Sequence, residues 1–399
     1  MEGLLKARKV NDQVYWVGAI DWNIRDFHGY STEHGSTYNA YLILADKVTL
    51  IDTVKAPFKD EMLSRIASVI DPKEIAYVVS NHTEMDHSGC LPQALEAVQP
   101  EKVFASTMGV KNLAEHFFLS TEVTAVKDGE SLSLGNMELS FLETRMIHWP
   151  DSMFSYLVED KLLFSSDGFG QHWATSERFD HEVDPSELMR KSAKYYANIL
   201  MLLSDRISKL LAKVGEMGIE IDTIAPDHGL IWSNPDDILQ AYSRWSQQEA
   251  IDKALVVYDT MWHSTETMAV AIAEGLSQEG VSVQVMGLEE NHRSDVVTEL
   301  LDAKAVVLGS STLNNGMLPR VADLLCYMKG LRPAGKLGAA FGSYGWSGEA
   351  VKLINEAMEE MKFEIVDGGV KSRFVPTQDD LGRCVELGRE VARKIKEND

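Results

Sequence analysis

An α/β protein of two domains, the second a doubly wound parallel sheet, is the fold class that three observations in this sequence predict. Its 399 residues are more than a single hydrophobic core usually serves. From about residue 254 the apolar runs lack strict alternation, end in loops rich in Gly, Ser, Thr or Asn, and lead into helical patterns. Parallel strands buried on both faces read this way. Before about residue 250 the runs are shorter, tight turns join them, and helices follow. The domains are therefore set at 1–250 and 251–399, with the polar "SQQEAIDK" (246–253) as linker.

Taken in order, "AYLIL-ADK-VTLIDT" (40–53) predicts a hairpin turning at Asp46-Lys47, and "FSYLV-EDK-LLFSS" (154–166) repeats the pattern. Helices are expected over 57–69 and 91–98, with the strand "IAYVVS" between them. Asp184 can cap, and Pro185 open, a long helix running through "SELMRKSAKYYANILMLLSDRISKLLAKV" towards Gly215. In the second domain "ALVVYD" (254–259), "AVVLGS" (305–310) and "LGAAFGS" (337–343) are the buried strands.

Composition narrows the function. No run of 18 apolar residues occurs, which argues against a helical membrane span, and the N-terminus lacks the pattern of a secretory signal. A cytoplasmic protein is expected. The formal charge of −23 repels phosphate backbones and argues against nucleic acid as a partner. Cys90, Cys326 and Cys384 are far apart and form no C-x-x-C pair, against a disulfide frame or a thiolate-held metal.

The stretch "YVVSNHTEMDHSGC" (77–90) carries the chemistry. An apolar run stops at Asn81, and His82, Glu84, Asp86 and His87 then fall within six positions. His148 follows "LSFLETRMI", Asp167 follows "KLLFSS", and His228 follows "IDTIAP". All lie at the carboxyl ends of strand-like runs, where the loops of a sheet converge. Burying such charge without a cation costs roughly several kcal/mol per unpaired ion. Seven potential ligands exceed the four of a tetrahedral ion. Two ferrous ions bring about four positive charges, which three carboxylates and a hydroxide nearly cancel. A dinuclear centre is expected. Isolated histidines such as His28, His116 and His292 read instead as ordinary surface or core residues. His172, in "DGFGQHWATS", reads equally as an outer partner of the site or a plain loop residue.

H-x-x-x-D-H after a buried strand, with later His, Asp and His at strand ends, resembles the metallo-β-lactamase fold, an αβ/βα sandwich. Hydrolytic members usually carry His where this chain has Glu84, and an oxygen donor there favours iron or manganese over zinc. In the second half, "YDTMWHSTETMA" (258–269) sets Thr260, Ser264 and Thr265 between a buried strand and a helix, where hydroxyls and loop N–H groups can wrap a phosphate. Neither G-x-x-x-x-G-K-[ST] nor G-x-G-x-x-G occurs, against a triphosphatase or a dinucleotide site. With "SSTLNNGMLP" (310–319) and "GSYGWSGEA" (342–350) this loop resembles flavodoxin, although Trp262-His263 stands where Thr-Gly is usual.

A β-lactamase-like half joined to a flavodoxin-like half resembles the flavodiiron proteins, also called A-type flavoproteins, across essentially the whole chain. The marks are "HTEMDH" (82–87), "HWPDSMFSY" (148–156), "DGFGQ" (167–171), "PDHG" (226–229), "DTMWHSTE" (259–266) and "FGSYGWSGE" (341–349). The resemblance implies reduction of dioxygen to water, of nitric oxide to nitrous oxide, or both, and leaves the preferred gas open. It places one iron on His82, Glu84 and His148, the other on Asp86, His87 and His228, and Asp167 between them; family members differ at the position of His87. Tyr195 is similar to a family tyrosine near the metals, or is an ordinary helix aromatic. Tyr195 and His172 are thus the candidate catalytic residues beyond the ligands. FMN falls to Thr260, Met261, Trp262, His263, Ser264 and Thr265, to Ser311, Thr312, Leu313, Asn314, Asn315 and Gly316, and to Ser343, Tyr344, Gly345, Trp346, Ser347 and Gly348. The resemblance further implies a head-to-tail homodimer or a dimer of dimers. No C-x-x-C pair follows the flavodoxin-like half, so an external carrier is expected: rubredoxin or a similar small protein, with a deazaflavin as competitor. The reading from another class is a zinc-dependent β-lactamase-fold hydrolase with an attached flavodoxin module. A third is an electron-transfer flavoprotein whose first half is structural.

Overall fold

The computed structural model describes residues 4–397. The chain divides into two compact units. The first holds residues up to His28, Thr32–Tyr195 and Asp205–Ser243; the second holds Gly29–Ser31, Tyr196–Ser204 and everything from Arg244 on.

The first unit is built on two sheets. One has seven strands in the order Arg8–Lys9, Val14–Trp16, Tyr41–Ile43, Thr49–Ile51, Tyr77–Ser80, Lys102–Ser106, Val123–Val126, antiparallel up to the fourth and parallel beyond it. The other orders Ser131–Ser133, Glu138–Glu143, Met153–Leu157, Leu162–Phe164 and Thr223–Ala225, with only the last pair parallel. Both expected hairpins are present. Successive side chains on a strand point to opposite faces, and both faces of the larger sheet are buried. Tyr41, Ile43, Ile51, Val79 and Phe104 pack with Phe141, Met153, Leu157 and Phe164 of the second sheet. Their neighbours Leu42, Leu50, Val78 and Val103 pack with Met62, Ile66, Leu91, Leu95 and Leu113 of the covering helices. This is the αβ/βα sandwich that the resemblance to the metallo-β-lactamase fold implies.

The second unit is a parallel sheet ordered Ser282–Gly287, Ile251–Asp259, Ala303–Ser310, Leu337–Tyr344, with Glu364–Ile365 and Val370–Arg373 both pairing beside the last. That order reverses at Ile251–Asp259, and ligands of open α/β sheets bind at such a switch point. Helices Ser264–Gln278 and Gln378–Glu397 cover one face and share a core with Val256, Val307 and Phe341. They approach so closely that a Cβ on Gly275 would lie 2.0 Å from the Val385 carbonyl oxygen.

Two expectations need correction. The linker 246–253 ends early, because the strand already begins at Ile251. The polarity that suggested a linker is met by ion pairs: Lys253 with Glu299 (2.6 Å) and Asp302 (2.9 Å), Asp252 with Lys304 (2.7 Å). The long helix is interrupted. Asp184 Oδ1 does accept from the N–H groups of Ser186 and Glu187, but Pro185–Tyr195 passes into a wide π turn at Tyr196–Leu200 before Ser204–Met217 resumes. Tyr195, Tyr196 and Ala197 are all buried, and three consecutive buried positions exceed one stripe of an α-helix. Among the described residues no helix is long and apolar enough to cross a membrane.

Candidate metal centre

Strand Tyr77–Ser80 delivers the first ligand-type residues. Asn81 ends it, held by its N–H to Asp52 Oδ1 (2.7 Å) and by Ser155 Oγ to its side-chain oxygen (2.6 Å). His82 and Glu84 follow, and the short helix Met85–Ser88 carries Asp86 and His87. His148 lies in the turn joining Glu138–Glu143 to Met153–Leu157, five residues past its strand rather than directly after it. Asp167 and His228 come from the loops after Leu162–Phe164 and Thr223–Ala225.

These seven residues converge into two groups, His82, Glu84, His148 and Asp167, and Asp86, His87 and His228, with the ligand atoms of each group within 4.8 Å of one another. Asp167 faces both. Its Oδ2 lies 3.1 Å from His148 Nε2 and 3.3 Å from His82 Nε2, and its Oδ1 lies 3.3 Å from His87 Nε2 and 3.5 Å from His228 Nε2. His148 Nε2 is also 3.2 Å from Glu84, and His228 Nε2 3.1 Å from Asp86.

The cluster fits metal ions. Ligand atoms about 2.1 Å from one cation stand roughly 3.0–3.5 Å apart. Yet both oxygens of Asp86, Oδ2 of Asp167 and both ring nitrogens of His87 are buried with no hydrogen bond. Close approach without hydrogen-bond alignment is what groups aimed at a shared point display. Without a cation, protons supply the positive charge. Burial opposes a charged His82, but its bonds to Asp151 and Glu84 outweigh it and hold the imidazole well above its ordinary value. Burial likewise opposes a charged His148, which Asp167 and Glu84 push up to about 9. Asp167 is fully buried, yet the neighbouring imidazoles, His87 foremost, hold its carboxyl well below the usual range. Asp52 and Asp227 differ: burial raises Asp52 to about 6 and holds Asp227 well above the usual carboxylate range.

In the second unit a cavity of about 750 Å³ opens at the carboxyl ends of the strands, lined by Met261, Trp262, Ser264, residues 311–315, residues 343–347, Phe374 and Val375. Thr260, His263, Thr265, Gly316 and Gly348 are not among its lining residues. Thr265 sits beneath it, its Oγ1 3.0 Å from Ser311 Oγ and 3.1 Å from Ser343 Oγ, so one hydroxyl from each loop meets the other two. His263 occupies the left-handed region (φ 63°), the conformation a glycine at this position would supply freely. Trp346 and Trp262 are 87% and 86% exposed and present flat faces at the rim.

The comparisons with known proteins agree with both halves. The ODP family beta lactamase matches residues 37–229 and Flavodoxin matches residues 256–388. The nitric oxide reductase of Moorella thermoacetica is 47% identical, over 97% of this chain and 98% of its own. Among solved structures, the flavodiiron protein of Giardia intestinalis superposes with a TM-score of 0.95 at 35% identity, over 100% of this chain and 98% of that one. The chain belongs to the flavodiiron proteins. Another solved relative, the rubredoxin oxygen:oxidoreductase from Desulfovibrio gigas, gives a TM-score of 0.96 at 46% identity, covering 98% of this chain and 99% of its own. This flavodiiron protein is an oxidoreductase with a β-lactamase-like and a flavodoxin domain.

Around the metal cluster of this flavodiiron protein stands a layer of partners. Tyr195 donates its hydroxyl to Asp167 Oδ1 at 2.9 Å; burial and that carboxylate keep the phenol protonated. His172 packs its ring 4.7 Å from His228 and 5.1 Å from Tyr195, with Nδ1 2.7 Å from Ser36 Oγ. Burial and the neighbouring His228 hold it neutral. Sequence reasoning missed Asp151, bonded to His82, and Asp227 and Asp52 behind the cluster. It also read His28 as unremarkable, whereas His28 Nε2 lies 3.3 Å from Glu84, although the side chain is 76% exposed. Local signals existed for three of them: Asp151 lies three residues past His148 in "HWPD", Asp227 directly precedes His228 in "PDHG", and Asp52 ends the apolar run "VTLID"; His28 has none.

Proposed function

We propose that this flavodiiron protein binds FMN in the cavity of its second domain and two iron ions on His82, Glu84, Asp86, His87, His148, Asp167 and His228, and so reduces dioxygen to water, nitric oxide to nitrous oxide, or both. The domains are read as 1–250 for the metals and 251–399 for the flavin. The iron pair and the flavin, when bound, each store two electrons, so that together they match the four that full reduction of dioxygen requires.

The protein's own residues set the conditions. Asp167 spans the two groups through its separate oxygens and fixes their spacing; this carries the reading. Glu84 gives its group a hard oxygen donor, against a zinc hydrolase. Tyr195 holds Asp167 in place and keeps a proton on its hydroxyl beside the cluster. Phe27, with its ring 4.8 Å from His172 and 6.0 Å from His228, shields this flank from water.

Electrons come from rubredoxin or a similar small carrier, a reading supported by the name of the Desulfovibrio gigas relative. The family resemblance supports a head-to-tail homodimer, or a dimer of such dimers, and a cytoplasmic setting in which the three free cysteines stay reduced. The test is iron, zinc and FMN content of the purified protein, followed by dioxygen and anaerobic nitric oxide consumption with one reduced carrier. About two irons and one FMN per chain with gas consumption are expected; zinc alone, or no gas consumption, overturns the reading. Turnover should also fall on dilution into monomers.

A further inference from the structure

The histidines of the two metal groups are backed differently. Asp151 is buried, and its Oδ2 accepts from His82 Nδ1 (3.0 Å), from the Thr83 N–H (2.7 Å) and from Thr83 Oγ1 (2.8 Å), while Oδ1 accepts from Asn112 Nδ2 (3.1 Å). The carboxylate is therefore fixed whether or not His82 is present, and it dictates that His82 carries its proton on Nδ1 and turns Nε2 to the cluster. Its main-chain oxygen accepts from Ser106 Oγ at 2.7 Å, which anchors the turn that also carries His148. One residue thus orients His82 and ties down the turn that carries His148.

The second group has nothing equivalent. His228 Nδ1 donates to the neutral Thr37 carbonyl at 2.6 Å. His87 Nδ1 makes no hydrogen bond, and the nearest carboxylate, Asp227, is 3.7 Å away. A carboxylate behind an imidazole makes it a more basic donor, and removing such a partner typically costs 10–100-fold in metal affinity.

We propose that the two metal positions are unequal and that Asp151 makes them so: the position of His82, Glu84 and His148 holds its ion tightly and at lower reduction potential, and the position of Asp86, His87 and His228 is the labile one. Asp151 acts as a positioning residue. This rests on the diiron reading above.

The test uses the purified holoenzyme and a ferrous chelator in excess. Wild-type protein should release iron in two phases, about one ion per chain in each. Asp151→Asn keeps an acceptor oxygen for His82 but removes the charge. It should speed the slow phase about 10–100-fold, leave the fast phase unchanged, and raise the lower of the two iron potentials in a redox titration. Asn112→Ala, which removes an outer bond of the same carboxylate, should speed the slow phase to a smaller degree and serves if Asp151 variants fail to fold; unchanged FMN content reports an intact second domain. Two irons leaving the wild type in a single phase, or a slow phase and potential unmoved in folded variants, overturns the proposal. Fewer than two irons in wild type reloaded with excess ferrous iron and freed of the excess just before the assay would instead defeat the diiron reading, and this inference with it.

Discussion

Lys336 is 2% exposed, with its ammonium against the carbonyls of Leu301 (3.2 Å) and Ala303 (2.7 Å). Burial pushes the amine down to about 8 from an ordinary 10.5. Between those values the unfolded chain binds more protons than the folded one, so this group makes stability rise with pH. The gain is at most about 3 kcal/mol at ~1.4 kcal/mol per pH unit. Chemical denaturation at pH 8 and 10.5 should show wild type gaining on Lys336→Met by that order. His148 has the opposite sign: held at about 9 in the metal-free protein, it stabilises below an ordinary 6.5, and that contribution is lost as pH rises through 9. An entering ion must displace its proton, so iron affinity should rise from pH 6.5 to 9 with measurable proton release, and the metal-free protein should weaken over the same range. At this scale the sequence was legible where ligand types crowd, as in "HTEMDH", and opaque where they do not. Asp151 meets His82 across 69 positions, a separation at which local pattern carries no information.

Hairpins and buried strands were legible because their signals are local: an Asp-Lys turn between apolar runs, or a run ending at glycine. The interruption after Tyr195 was not, since an unbroken helical pattern does not say that Tyr195 and Tyr196 must both be buried. Nor was the start at Ile251, where ion pairs let Asp252 and Lys253 sit in a strand. The close approach of Ser264–Gln278 and Gln378–Glu397 yields a paired prediction. A methyl at Gly275 meets Val385 O at 2.0 Å and Val385 C at 2.9 Å, whereas Gly382 in the longer helix has nothing within 4 Å. Gly275→Ala should cost about 1–3 kcal/mol by forcing the helices apart. Gly382→Ala should instead stabilise by about 0.5–1 kcal/mol through helix propensity. Thermal unfolding of the two variants checks both signs.

For the whole molecule, the charge of −23 sets how a redox partner arrives. Repulsion slows an acidic carrier at long range and is screened within about 10 Å at 0.1 M salt. The second-order rate with an acidic carrier should therefore rise several-fold from about 10 to 150 mM salt, and the rate with a basic one should fall; stopped-flow reduction distinguishes them. Two-domain organisation was legible from the change in pattern near residue 250, but the detours of the chain were not. Gly29–Ser31 and Tyr196–Ser204 belong to the unit that otherwise begins at Arg244. There Asn198 donates to Ser294 O at 3.1 Å and accepts from the Tyr327 hydroxyl at 2.8 Å. The flavin module is consequently not a cassette that can be lifted out with one scissor stroke. A chimera spliced at 250 would inherit two borrowed stretches from its host, and swaps between relatives should succeed only when those stretches travel with the module they complete.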